Sequence, residues 1–207
     1  MKASGGAPPK ERILDEVLLL LEQAGYDGWH VRQVAQGAHV SLSAIYREYP
    51  SRDELIVAAV GRWMDRHMYR PVEPLASDEG YFSAIRRVLR TVLEPWERHP
   101  EMLRTFLRAA ASPSGYKLYT QGVSATQWLS SSSDFPHLDP AYLVDVAEIL
   151  HNVVEGLLAR FLRGEIVVKD IRPSLDRAIS RLQDPSVSAA PKAQRRKRAP
   201  GSQQASQ

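Results

Sequence analysis

Ser41, Leu42, Ser43, Ala44 and Arg47 fall within seven consecutive residues and bring hydroxyl, methyl and guanidinium groups to one short stretch. Hydroxyls and a guanidinium hydrogen-bond to base edges or phosphate oxygens, and small apolar groups touch thymine methyls. This is recognition chemistry rather than bond-breaking chemistry. Leu42 serves helix packing equally well, and that alternative stays open. A second pair, His151 and Glu155, stands four residues apart, which suits either a metal or acid–base pair or an ordinary polar contact along a helix. The sequence holds no zinc-protease motif, phosphate-cradling glycine loop or nucleophile beside a base. No catalytic residues, no metal and no cofactor are expected.

The elements around the first group say what it could recognise. Val31, Val34, Ala35 and Ala38 repeat with helical period, as do Leu42, Ile45 and Tyr46, followed by Tyr49, with His39-Val40-Ser41 between them. Two short helices joined by so tight a turn make a helix-turn-helix, whose second helix can lie in a DNA major groove. Pro50 ends that helix, and Ser51 is placed to cap another, with Glu54 as its capping-box partner. Upstream, Ile13, Leu14, Val17, Leu18 and Leu21 form one stripe, predicting a helix from Lys10 to Ala24 that Gly25 closes. Downstream, a fourth helix is predicted from Leu55 to Tyr69, stopped by Pro71 and Pro74. Further helices are predicted at Tyr81–Arg98, kinked or shortened by Pro95, at Pro100–Ala110, at Tyr116–Leu129, at Ala141–Arg163, and from an Asp170 cap to Leu182.

The expected fold is therefore all-α. Its parts are a disordered arm at 1–9, a helix-turn-helix domain at 10–55, a larger helical domain at 56–183 and a disordered basic tail at 184–207. The chain has 207 residues and no cysteine, which excludes disulfides and thiolate metal sites. No apolar run is long enough to span a membrane, and the polar start MKASGGAPPKER is not a signal peptide. Cytoplasmic residence is the default expectation. The formal charge is +3, but the tail holds Lys192, Arg195, Arg196, Lys197 and Arg198 against Asp184. Residues 1–55 hold six Lys/Arg and eight Asp/Glu. That is little positive charge for a domain meant to neutralise phosphates, so either a few placed groups or the RRKR run at 195–198 must help. The run is equally explained as a solubilising tail.

The stretch ERILDEVLLLLEQAGYDGWHVRQVAQGAHVSLSAIYREYPSRDELI resembles the DNA-binding domain of TetR-type transcriptional regulators. The resemblance covers Glu11 to Ala59 and keeps the family's order: a first helix ending in Gly25-Tyr26, the helix-turn-helix, then Tyr46, Tyr49, Pro50 and Ser51-Arg52-Asp53. It places Tyr46 on the recognition helix and Arg52 just after it, where a phenol and a guanidinium suit phosphate oxygens. Tyr49 joins them as an implied DNA contact. Core packing for Tyr46 and a solvated charge for Arg52 are the alternatives. The sequence departs from the family at His39, where a turn glycine is usual, at Trp29-His30, where two threonines often open the helix, and at Leu42-Ser43-Ala44. Histidine tolerates positive φ better than most residues, so the turn is expected to survive. The segment WERHPEMLRTFLRA resembles actinomycete regulators of steroid and lipid catabolism.

The resemblance implies a repressor of palindromic double-stranded DNA that acts as a homodimer and is released by an apolar small molecule. Trp63, Met68, Trp96, Met102, Phe106, Tyr119, Trp128 and Phe161 are the candidate effector contacts, with ordinary core as the alternative. Arg104 and Arg108 could meet an anionic group on that effector. Leu143, Leu150, Val154, Leu157, Phe161, Leu175 and Ile179 are the candidate dimer contacts, with burial in one subunit as the alternative. A C-terminal domain that only dimerises or binds a protein, or an enzyme with an accessory DNA-binding domain, are the rival readings.

Overall fold

A computed structural model describes residues 7–68, 79–116, 118 and 135–183. Among the described residues there are eight α-helices, one 3₁₀ turn and no β-strand. No helix among them is long and apolar enough to cross a membrane. Helix α1 spans Pro9–Ala24. Proline at its first turn costs no hydrogen bond, so the helix begins inside the expected arm. Its stripe is buried as expected, and Gly25 closes it at φ +69°, a conformation glycine adopts without Cβ strain.

Helix α2 (Val31–Gly37) lacks a hydroxyl cap. Gln33 compensates: its side-chain oxygen accepts from the His30 amide at 2.7 Å. His39 sits at φ +53° between α2 and α3 (Leu42–Glu48), so the turn keeps the backbone a glycine would give. Ser41 caps α3 by accepting from the Ala44 amide at 3.1 Å. Ser51 caps α4 (Arg52–His67) by accepting from the Glu54 amide at 3.1 Å. That cap starts α4 at Arg52 rather than Leu55, because the first turn is set by capping and not by the first apolar residue. A domain division after residue 55 would therefore cut through the first turn of α4.

Helix α5 (Tyr81–Arg98) runs through Pro95 to its expected end. The proline lies in the last turn, so little helix remains to be disturbed. Pro100 then opens α6 (Pro100–Ala110). Helix α7 (Pro140–Leu162) is capped by Asp139, whose Oδ1 accepts from the Ala141 amide at 2.9 Å. Asp170 does not cap α8 (Ile171–Leu182) as expected. Its Oδ2 accepts from the Val167 amide at 3.1 Å and closes the 3₁₀ turn Val168–Asp170 instead. The predicted helix at Tyr116–Leu129, with Tyr119 and Trp128, lies outside the described residues apart from Tyr116 and Leu118. Pro71 and Pro74, the expected stop of the fourth helix, and the basic tail at 184–207 also lie outside them.

Helix α4 packs on α1 and on α6, and α7 packs on α8. One apolar core joins α1–α4 to the ends of α5–α8 through Trp63, Met64, Trp96, Met102 and Phe161. A second, smaller core forms at the far end around Tyr81, Phe82, Phe135, Leu143 and Ile179. The helix-turn-helix unit thus shares its interior with the rest of the molecule, and α4 is the element common to both.

Candidate nucleic-acid interface

The outer face of α3 is built on one anchor. Ile45 is fully buried, and residues two before, one after and two after it turn outward. Ser43, Tyr46 and Arg47 are exposed. Tyr46 and Arg47 have no hydrogen-bond or ion-pair partner among the described residues, so the phenol and the guanidinium are available to an outside acceptor. Ser41 is exposed, but its hydroxyl accepts the cap bond and sits 3.0 Å from Ser43 Oγ. Leu42 is half-buried against the core, and Ala44 is half-buried beside it.

Tyr49 is a correction. Its ring is 6% exposed, and its hydroxyl is buried with no hydrogen-bond partner among the described residues. Burial pushes this phenol's pKa up, with nearby Glu48 adding to the effect. It closes the small domain's core beneath α3 and cannot reach a phosphate from there.

Arg52 lies just beyond α3, on a support that sequence reasoning missed. Its guanidinium donates to the Tyr26 carbonyl, lies 4.5 Å from the Trp29 ring centre and 5.4 Å from that of Tyr26. A guanidinium held over aromatic faces keeps its charge while losing freedom. It pairs with no carboxylate among the described residues. Tyr26 donates weakly to Asp53 at 3.5 Å; burial, then Asp53, raise its pKa. The Gly25-Tyr26 pair was visible in the sequence, but its proximity to Arg52 was not, since 26 residues separate them.

The weak positive charge of residues 1–55 also looks different in three dimensions. Arg62 pairs with Glu11 at 2.9 Å and Asp15 at 3.1 Å, and Arg66 pairs with Asp15 at 2.9 Å. Arg108 pairs with Asp27. Three of the carboxylates that made the segment acidic are thus neutralised by arginines from outside it. Arg12 donates to the Ala38 carbonyl at 3.1 Å and tethers the end of α2 to α1.

Hydroxyl, phenol and guanidinium groups, exposed on a capped second helix with a held arginine at its end, are the group types that hydrogen-bond phosphates and base edges of duplex DNA. The sequence comparisons give the family. Residues 13–59 match the model of bacterial regulatory proteins of the tetR family, and residues 79–182 match the tetracyclin repressor-like C-terminal domain. The chain belongs to the TetR family. Its TetR-family relatives include the HTH-type transcriptional repressor KstR of Mycolicibacterium smegmatis, 24% identical over 82% of this chain and 84% of that protein. KstR of Rhodococcus jostii is 31% identical over 50% of each chain. A transcriptional regulator from Rhodococcus sp. Rha1 shares the fold, with TM-score 0.61 and 22% identity over 84% of this chain and 95% of that one. A TetR regulator from Agrobacterium tumefaciens gives 0.60 and 17% over 89% and 96%. The protein is a DNA-binding transcriptional regulator of the TetR family and not an enzyme.

The other expected sites in this TetR-family chain are placed as follows. Trp63 stacks on His67 at 4.5 Å and on Trp96 at 4.9 Å, and Trp96 lies 5.2 Å from Phe106. Met102 and Phe161 are buried in the same core, and Met68 is half-buried at its edge. Arg104 lies over the Phe161 ring at 4.4 Å, and Arg108 is committed to Asp27. The surface clefts bounded by described residues include the following two. One, of about 240 Å³, lies between the end of α1 and the start of α6, and the other, of about 380 Å³, lies along α8. Of the candidate effector contacts only Met102 borders either one. His151 and Glu155 are both exposed, and no group of three metal-binding side chains occurs among the described residues.

The dimer contacts need a second correction. Leu143, Leu150, Leu157, Phe161, Leu175 and Ile179 are 0–7% exposed within one subunit. Their surface is already consumed between α7, α8 and the rest of the chain. Val154 is half-buried and packs on the same core.

Proposed function

We propose that this TetR-family regulator is a homodimeric repressor of a palindromic operator, released by an apolar small molecule. The observation that carries the DNA half is the α3 face, with Ile45 pinned and Ser43, Tyr46 and Arg47 turned out. Ser43 and Arg47 read base edges; Tyr46 and Arg52 hold phosphates. Leu42 and Ala44 present partial apolar surface to the groove rim, and Ser41 acts mainly as the cap.

A two-fold dimer sets two such helices about one DNA turn, ~34 Å, apart. The surface that supports dimerisation is the outer side of α7, where Val144 and Ile149 are each 45% exposed and flank Ala141, Gly156 and Ala159. A Cβ at Gly156 would meet nothing within 4 Å. Small residues on an exposed helix let a partner backbone approach closely. Effector control follows from α4, which shares its core with α1 and α6. A ligand that favours one arrangement of those helices shifts the spacing of the α3 pair, provided it binds the two arrangements with different affinity. The resemblance of the α5–α6 segment to steroid- and lipid-catabolism regulators favours a bulky apolar effector.

One observation favours the rival in which the C-terminal domain only dimerises. Trp63 stacks on Trp96, and Trp96 lies against Phe106, so part of each ring's surface is taken up by its neighbours. Selection of duplexes from a random pool, followed by footprinting, tests the main reading. An inverted repeat with half-sites about one turn apart is expected. A single unrepeated half-site, or no enrichment, overturns it. A rise in melting temperature with an apolar ligand that also releases the selected duplex separates effector control from the rival.

A further inference from the structure

Asp27 sits in the loop between α1 and α2, and Arg108 sits near the end of α6. They meet in a two-bond ion pair, with Arg108 Nη1 2.7 Å from Oδ2 and Nη2 3.0 Å from Oδ1. The same guanidinium lies 4.2 Å from the centre of the Tyr26 ring. Arg52 lies 5.4 Å from that ring centre and donates to the Tyr26 carbonyl. One aromatic side chain therefore serves two arginines, one from the start of α4 and one from α6. Both arginines act on the Asp27 carboxylate: the Arg108 hydrogen bonds hold it below the ordinary carboxylate range, and the Arg52 charge adds to this.

The pair is exposed, with 45% and 71% of the two side chains accessible, so its direct contribution to stability is small. Its placement matters more. With Arg108 in position, Asp27 is neutralised and Arg52 keeps its charge for an outside anion. With Arg108 withdrawn, Asp27 becomes an unpaired anion in the field of Arg52, the other arginine beside the Tyr26 ring. A guanidinium drawn to that carboxylate leaves the phosphate, and the unpaired charge repels the duplex besides.

We propose that Arg108 is a positioning residue for DNA binding: by occupying Asp27 it keeps Arg52 available to a phosphate, so that movement of α6 is read out as a change in phosphate affinity. The proposal rests on the reading of Arg52 as a phosphate contact. It adds an electrostatic route by which the C-terminal domain acts on DNA binding without moving the recognition helices.

The test is fluorescence anisotropy of the full chain with a labelled nonspecific duplex over a salt series, with thermal melts to confirm folding. Arg52→Ala and Arg108→Gln should each weaken binding about threefold or more and lower the logarithmic salt slope by about one. Asp27→Asn, Arg108→Lys and the double variant Asp27→Asn/Arg108→Gln should stay within about twofold of the parent or bind better. If Asp27→Asn weakens binding as much as Arg108→Gln, the pair is a structural strut and the proposal is overturned. If the double variant remains as weak as Arg108→Gln, Arg108 touches DNA itself, which also overturns it. No effect of Arg108→Gln beside a clear effect of Arg52→Ala overturns the proposal alone. No effect of Arg52→Ala overturns the phosphate-contact reading and the proposal with it.

Discussion

Arg62 on α4 reaches Asp15 on α1 at 3.1 Å, and its other branch reaches Glu11 at 2.9 Å. One guanidinium thus joins two turns of the first helix to the helix that leads into the C-terminal domain. Burial raises the Asp15 carboxyl, but the Arg62 and Arg66 hydrogen bonds outweigh it and leave the group below its ordinary value. A carboxylate depressed in the folded state adds stability above its unfolded pKa and loses it as pH falls through the folded one.

Removing that link should make acid unfolding shallower. Arg62→Ala is expected to cost about 1 kcal/mol at neutral pH, since the groups are partly exposed and screened. The difference from the parent should shrink below about pH 4, where the unfolded carboxylates protonate. Urea unfolding at several pH values measures this; a constant difference down to the acid limit would mean that Arg62 acts by packing alone.

Arg52→Ala should weaken binding to all duplexes and flatten the salt slope, whereas Ser43→Ala should change which base is preferred with little effect on the slope. Anisotropy on the selected operator and its single-base variants checks both. Equal loss on every duplex for Ser43→Ala would remove it from the base-reading set.

Tyr49→Phe separates core from contact. The hydroxyl is buried without a partner among the described residues, so its removal should leave stability unchanged or raise it by up to about 1 kcal/mol. DNA affinity should not move. A several-fold loss of affinity would return Tyr49 to the interface.

Three glycines should respond differently to alanine. At Gly28 a Cβ would stand 2.3 Å from the Ala24 carbonyl oxygen, a backbone atom that cannot step aside, and a loss of about 1–3 kcal/mol is expected. Gly25 has space but φ +69°, so about 1–2 kcal/mol is lost to strain. Gly156 is helical with open space around it, and alanine should stabilise the subunit by about 0.5–1 kcal/mol. If the outer side of α7 is the dimer face, the same change weakens association. Thermal melts and light scattering, read together, distinguish the two effects at Gly156.

The sequence by itself determined the elements and their stops. Apolar period placed the helices, Ser51 announced a cap, and the tolerance of histidine for positive φ predicted His39 correctly. These are local properties, carried by residues within one turn of each other. The caps also show where local reading fell short. Asp170 accepts from the Val167 amide behind it instead of capping α8, and α4 began at its cap rather than at its first apolar residue.

Only the tertiary structure decided which apolar side chains remained for a partner and which charges remained for DNA. Leu143, Leu150 and Ile179 read as an interface stripe, but α7 and α8 bury them within one subunit. Tyr46 and Tyr49 are similar in type and three residues apart, yet one is 45% exposed and the other 6%; Ile45 and the end of α3 decide between them. The acidic count of residues 1–55 misled because Arg62, Arg66 and Arg108 lie outside that window and fold back onto it. Burial and ion pairing are sums over neighbours from distant parts of the chain, and the residues of one segment cannot report neighbours that only folding supplies.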